Sequence, residues 1–331
     1  MIKDVFISTQ LNCMRPIWTP LPKAVRIAAV CIGKRLRGRN IFFDLWIDTG
    51  TARVLDPGQR RPNRNTMNFI RIKPLKERLK EQARFCRAAR IARVPRIVAA
   101  ILRLLEQHQL LGRNLQIVGT NALYAYEARA GVFLERGLLA TQDMDVLWDI
   151  RPKLRLFAID DVDNEGLIDI LQKADRSFEL PSKKSFRAVN QAGYMVDLIK
   201  PEPKSVLKIE DRQVGSGDDL MAAEIKNLQW LISAPKFDQI VIGEDGFPAT
   251  MVVPDPRAFA VHKLWLSSQK DREAVKKKRD RSQALAVCKL ILQYMPEFEI
   301  RKEDLRMFPE AIVADAIQVL DGLDLPPGFR E

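Results

Sequence analysis

The segment from Leu115 to Lys200 does most to decide what this chain can fold into. LQIV at 115 to 118 is a short buried-strand candidate that runs directly into Gly119-Thr120. NALYAYEARAGV then reads as a helix with Leu123, Tyr126 and Ala130 on one side and Gly131 closing it. ATQDMDVLWDI at 140 to 150 alternates as a strand does, so Met144, Val146 and Trp148 face away from Asp143, Asp145 and Leu147. Asn164 to Ala174 reads as a helix capped by Asp163 or Asn164. SFRAVN at 185 to 190 and YMVDLIK at 194 to 200, joined by Gln191, Ala192 and Gly193, have the spacing of a hairpin, with Asp197 inside its second strand. Strands interrupted by single helices imply a mixed α+β core.

The flanks are of a different kind. Residues 75 to 111 place apolar side chains at three and four residue spacing, with Pro95 expected to divide the run into two helices and Gly112 to end the second. Downstream, a helix is expected across Leu220 to Ile232. A second hairpin follows, FDQIVIG and ATMVVP around Asp245-Gly246, and then helices from Arg257 to about Leu320. Residues 1 to 70 show no sustained periodicity; strands around the turn at Thr49-Gly50 and a linker with Pro57, Gly58 and Pro62 are the readings there. The division expected is a basic N-terminal region over 1–70, a core over 71–255 and a helical unit over 256–331.

Charge is distributed as unevenly as structure. The net charge is +12, yet residues 1 to 113 carry 24 Lys/Arg against 7 Asp/Glu and the remainder 30 against 35. A basic third of this kind suits a polyanion, RNA or DNA above all, because contacts to phosphates release counterions. Arg84, Arg87, Arg90 and Arg93, each three apart, are expected to form a stripe along one helix that could follow a phosphate backbone; a solvated helix surface gives the same pattern. No apolar run approaches the ~20 residues of a bilayer span, and the first residues lack the features of a secretory signal, so a cytoplasmic protein without membrane contact is expected. Four scattered cysteines and two histidines offer no zinc-ligand spacing.

The chemistry lies in the acids. Asp143 and Asp145 on one strand face would have α-carbons ~6 to 7 Å apart, suited to chelating hard cations. Asp197, in an otherwise apolar strand, needs a cation, a set of hydrogen bonds or an exposed position, because an unpaired buried carboxylate costs several kcal/mol. Gly119-Thr120 lies between a strand and a helix, where free amides favour phosphate and glycine admits close approach.

These segments, IVGTNALYAYEARAGV, ATQDMDVLWD and YMVDLIKP, resemble the DNA polymerase beta type nucleotidyltransferase superfamily, in particular its little-characterised bacterial single-chain members, over about residues 70 to 290. Thr141, two positions before the first acid, matches toxin-type and antibiotic-modifying relatives, as do Pro254, HKLW at 262 to 265 and KKKRD at 276 to 280. The resemblance implies a nucleotidyltransferase-type mixed β-sheet flanked by helices, with a C-terminal helical bundle. It implies that Asp143, Asp145 and Asp197 hold Mg²⁺ or Mn²⁺ and that an NTP is the substrate. Gly119, Thr120, Asn121, Thr141 and Lys263 would then serve nucleotide binding, with lesser roles for Lys278 and Asp280, and His262 is read as a packed or surface histidine and not as a catalytic base. The chain departs from the familiar motif in having Asn121 after Gly-Thr. Two rival readings stand beside this one: a sugar transferase that uses Asp143 and Asp145 without a third acid, and a non-catalytic nucleic-acid or nucleotide-binding protein of the same fold.

Overall fold

The computed structural model describes residues 18–20, 64–151, 166–203 and 219–322. The strands expected near Thr49, the linker at 57–62 and the cap at Asp163 or Asn164 lie outside these residues.

A mixed sheet forms the centre. Strands β2 (Leu115–Val118), β4 (Asp143–Trp148) and β6 (Met195–Pro201) lie side by side, β2 antiparallel and β6 parallel to β4. The outer edge of β6 is shared by β5 (Arg187–Val189), antiparallel along its first half, and β7 (Ala223–Ile225), parallel along its second. Separately, β1 (Trp18–Pro20) pairs with β3 (Val132–Leu134), and β8 (Lys236–Ile242) with β9 (Pro248–Pro254) as the expected hairpin.

Alternation along the strands sorts residues between two cores. Met144, Val146, Trp148, Val196 and Leu198 face the larger one, beneath helices α2 (Arg96–Gln107), α3 (Leu123–Ala130) and α5 (Leu167–Ala174) and the β8/β9 hairpin. Leu147 and Ile199 face the smaller, built with Ala258, Val261 and Leu264 of helix α7 (Pro256–Ser268), Ala284 of α8 (Ala274–Tyr294), and Val313 and Ala316 of α9 (Glu310–Asp321). Asp143, Asp145 and Asp197 have the same parity as Leu147 and Ile199. One sheet face is therefore apolar where the C-terminal helices cover it and acidic at its other end.

Several local readings are corrected. The helix before Pro95, α1 (Arg64–Ala88), stops seven residues short of that proline. The Arg90 amide donates to the Arg87 carbonyl and the Ile91 amide to that of Cys86, with Arg90 at φ 59° and Ile91 packed on Cys86. That is a Schellman motif with arginine in the position glycine usually takes. Helix α2 ends the same way at Gln109 (φ 54°), before Gly112. Leu220 to Ile232 is not one helix: it holds β7 and the short helix α6 (Gln229–Ser233). The free amides of α5 are capped from a distance, Asp219 accepting from the Leu167 and Ile168 amides at 2.9 Å each. Among the described residues no helix is long and apolar enough to cross a membrane.

Candidate active site

Backbone register brings the acids together before any side chain is considered. Asp145 pairs with Asp197 across the parallel β4/β6 ladder and Asp143 with Met195, so the three carboxylates rise from adjacent positions of one face, on strands ~4.8 Å apart. Val118, the last residue of β2, is the partner of Asp145 on its other side. The chain therefore turns at Gly119 directly beside that acid.

Gly119 is there for want of a side chain. Its φ is +66°, and a β-carbon added to it would lie 2.0 Å from Asp145 Oδ2. The carboxylate thus lies against the bare backbone of a single helical turn, Gly119–Ala122, that leads into α3. Asn121 in this turn donates from Nδ2 to the Asp143 carbonyl at 2.7 Å, and the Thr141 hydroxyl donates to Asp143 Oδ1, which sets the rotamer of that acid. Thr120 is buried, its hydroxyl oxygen accepting from Arg279 Nη2 at 3.1 Å and Gln283 Nε2 at 3.2 Å, both on α8.

Electrostatics mark the cluster as short of positive charge. Burial, then the neighbouring Asp143 and Asp197 carboxylates, push Asp145 up to about 7, against the opposing pull of Lys263 and Arg272. Asp197 is better served. Arg187, opposite it on β5, donates from Nε and Nη2 to its two oxygens at 2.7 and 2.6 Å. Both Asp197 oxygens thus face Arg187, and among the described residues no group of three or more His, Cys, Asp or Glu side chains is arranged to hold a metal ion. Three acids share one corner as expected, yet only Asp143 and Asp145 present carboxylate without a cationic partner in contact.

The residues still fit a divalent cation. Two half-buried carboxylates on one strand, one with its proton affinity raised by its neighbours, supply hard oxygen ligands and a local deficit of positive charge. Around them, among the described residues, Arg279 Nε and Gln283 Oε1 are buried without a hydrogen-bond partner. Polar atoms of this kind are ordinarily satisfied in a folded protein, and their concentration at one place is what a ligand site requires.

Lys263 is not the solvated helix lysine its position on α7 suggests. It is buried, its Nζ 2.7 Å from Asp280 Oδ1, and Arg272 binds the other Asp280 oxygen at 2.9 Å from Nε. Lys278 is exposed. His262 is packed as expected, its ring against Trp230 and Trp265. The arginine stripe is corrected. Arg84 and Arg87 lie on α1, Arg90 caps it, and Arg93, in the following loop, is turned inward to bind both oxygens of buried Glu127 at 2.7 and 2.8 Å.

Sequence reasoning missed Arg187, Arg272, Arg279 and Gln283. Arg187 had a usable signal, because its place in the hairpin sets it opposite Asp197. The other three come from α7–α8 and reach the site only through tertiary packing.

A family model described as nucleotidyltransferase matches residues 96–307, well over half of the 331 residues, and spans Gly119, all three acids, Lys263 and Asp280. No curated protein and no solved structure matches the chain.

Proposed function

The chain belongs to this nucleotidyltransferase family, and from that premise we propose that it is a metal-dependent enzyme moving a nucleotidyl group from an NTP to an acceptor hydroxyl, with a sheet of the DNA polymerase beta type. The observation that carries the proposal is the juxtaposition of Asp143 and Asp145 on one strand face with the side-chain-free turn at Gly119. A polyphosphate needs amides and cations, and its counterions need hard oxygen ligands; the two sets of groups adjoin here.

In the reaction proposed, the acceptor oxygen forms a bond to the α-phosphorus. The bond from that phosphorus to the bridging oxygen breaks, pyrophosphate leaves with the electron pair, and the hydroxyl proton passes to a carboxylate of the cluster or to water. Mg²⁺ or Mn²⁺ held by Asp143 and Asp145 would neutralise phosphate oxygens and acidify the attacking hydroxyl. Asp197, oriented by Arg187, sets the field at the acceptor side. Thr141 fixes Asp143, and Asn121 ties the turn to the acid strand. Arg279 and Gln283 hold Thr120, while the Lys263–Asp280–Arg272 group supplies positive potential that favours triphosphate.

The sugar-transfer alternative uses Asp143 and Asp145 alone, and the hold of Arg187 on Asp197 is the observation in its favour. One experiment separates the two. Purified protein is incubated with Mg²⁺, total cell RNA and protein, and NTPs labelled at the α- or γ-phosphate, with sugar-labelled nucleotide diphosphates in parallel. The proposal expects α-label in an acceptor, γ-label in pyrophosphate, and loss of both in Asp145→Asn. Label arriving from the γ-phosphate or the sugar, or transfer that survives Asp145→Asn, overturns it.

A further inference from the structure

A cleft of about 910 Å³ opens beside the acids. Thr141 and Ala140 line it, the first bonded to the Asp143 carboxylate and the second, through its carbonyl, to Arg279. Its walls carry Arg87, Arg90 and Arg136 with Tyr124 and Phe133, and two carboxylates, Glu135 and Glu244, so that arginine outnumbers acid in the lining even with Arg93 paired to Glu127. The three arginines are exposed, and among the described residues none has an acidic side chain within ion-pair distance. Arg93 does, and its guanidinium, fixed by Glu127, sits 4.9 Å from the centre of the Phe133 ring, which makes a rigid flat platform in the wall.

We infer that this cleft receives the 3′ end of a single-stranded nucleic acid and presents its terminal hydroxyl to the acids; the inference rests on the transferase reading above. Two features favour a strand over a small phosphorylated acceptor. The cationic wall continues outside the cleft along α1, where residues 76 to 90 carry six Lys/Arg against two Glu. Arg84 and Arg87 follow one line of the helix with Lys80, which is itself paired with Glu77 at 2.9 Å, and the line runs for ~10 Å, longer than a single phosphate needs. The partly exposed Phe133 ring in the wall suits an unpaired base, which stacks without regard to sequence.

Arg90 adds an exposed guanidinium to this wall. It occupies a left-handed position at the end of α1 (φ 59°), where glycine is the residue of least cost, and it projects into the cleft wall.

The test is binding without turnover. Fluorescent 12-nucleotide RNA and DNA single strands of one sequence, the RNA duplex and a nucleoside monophosphate are titrated into the full chain without NTP. We expect the single strands to bind most tightly, with steep salt dependence. Arg87→Glu/Arg136→Glu should weaken binding about tenfold or more, and the charge-matched Lys226→Glu/Lys302→Glu, at exposed positions outside the cleft lining, should change it less than about twofold. Arg90→Gly should weaken it about threefold while leaving the melting temperature equal or higher, an outcome that a purely structural arginine would not give. RNA and DNA binding alike would place recognition in phosphate and base; RNA alone would add the 2′-hydroxyl.

Preference for duplex or monophosphate, or binding indifferent to Arg87, Arg90 and Arg136, overturns the inference. Strand binding lost in these variants, in a protein that transfers no label, would keep the cleft assignment and sink the transferase reading. Label transferred to a non-nucleic acceptor, with no strand bound, would do the reverse.

Discussion

Asp145 and Asp197 are register partners on adjacent parallel strands, and among the described residues only Asp197 has a guanidinium in contact with its carboxylate. Two carboxylates so placed repel each other. Arg187 binds both oxygens of Asp197, while burial first, and then the Asp143 and Asp197 charges, raise the proton affinity of Asp145.

Asp145→Asn should therefore separate activity from stability. Without divalent cation the wild-type carboxylate, pushed up to about 7, binds protons more readily folded than unfolded, so folding weakens as pH rises from the ordinary carboxylate range through about 7. At pH 8 the substitution should raise stability by about 1 to 3 kcal/mol in denaturant titration while abolishing nucleotidyl transfer. A destabilised variant would show that the acid serves the fold.

Gly119→Ala should cost both. The new β-carbon would lie 2.0 Å from Asp145 Oδ2, and φ +66° disfavours alanine regardless of space. We expect a loss of about 1 to 3 kcal/mol and at least ~100-fold in transfer rate, measured by denaturation and labelled-product formation. Wild-type rates in this variant would mean that Asp145 is free to move.

Asp280 carries two cations in a buried setting, Lys263 at 2.7 Å and Arg272 at 2.8 Å. Asp280→Ala would leave Lys263 buried and uncompensated. A loss of about 3 to 5 kcal/mol is expected in thermal or chemical denaturation.

His262 sets an acid limit. Burial, then the adjacent Lys263 charge, hold its pKa down to about 3, against 6.5 when unfolded. The unfolded chain therefore binds the extra proton, and stability falls as pH drops from about 6.5 toward 3, by ~1.4 kcal/mol per pH unit from this group. Stability measured between pH 7 and 5 should show that slope in the wild type and a shallower one in His262→Phe.

The site was legible in the sequence where its logic is local. A period of two puts Asp143 and Asp145 on one face, and a hairpin loop puts Asp197 at a readable place in β6. Helix ends were less legible, because Arg90 and Gln109 occupy left-handed positions that a reader looks for in glycine. The misplaced arginine stripe follows from that error: once α1 ends at Ala88, Arg93 is free to turn toward Glu127, a contact 34 residues away that no spacing rule contains. The ion pair of Lys263 was not legible for the same reason, since its partner Asp280 is on another helix.

The central claim is that Asp143 and Asp145 form a cation site, and Mn²⁺ titration followed by electron paramagnetic resonance tests it most directly. Wild-type protein should bind Mn²⁺ saturably, in competition with Mg²⁺, and the folded Asp143→Asn/Asp145→Asn variant should not. Equal binding by the two proteins, or none by the wild type, would contradict the account.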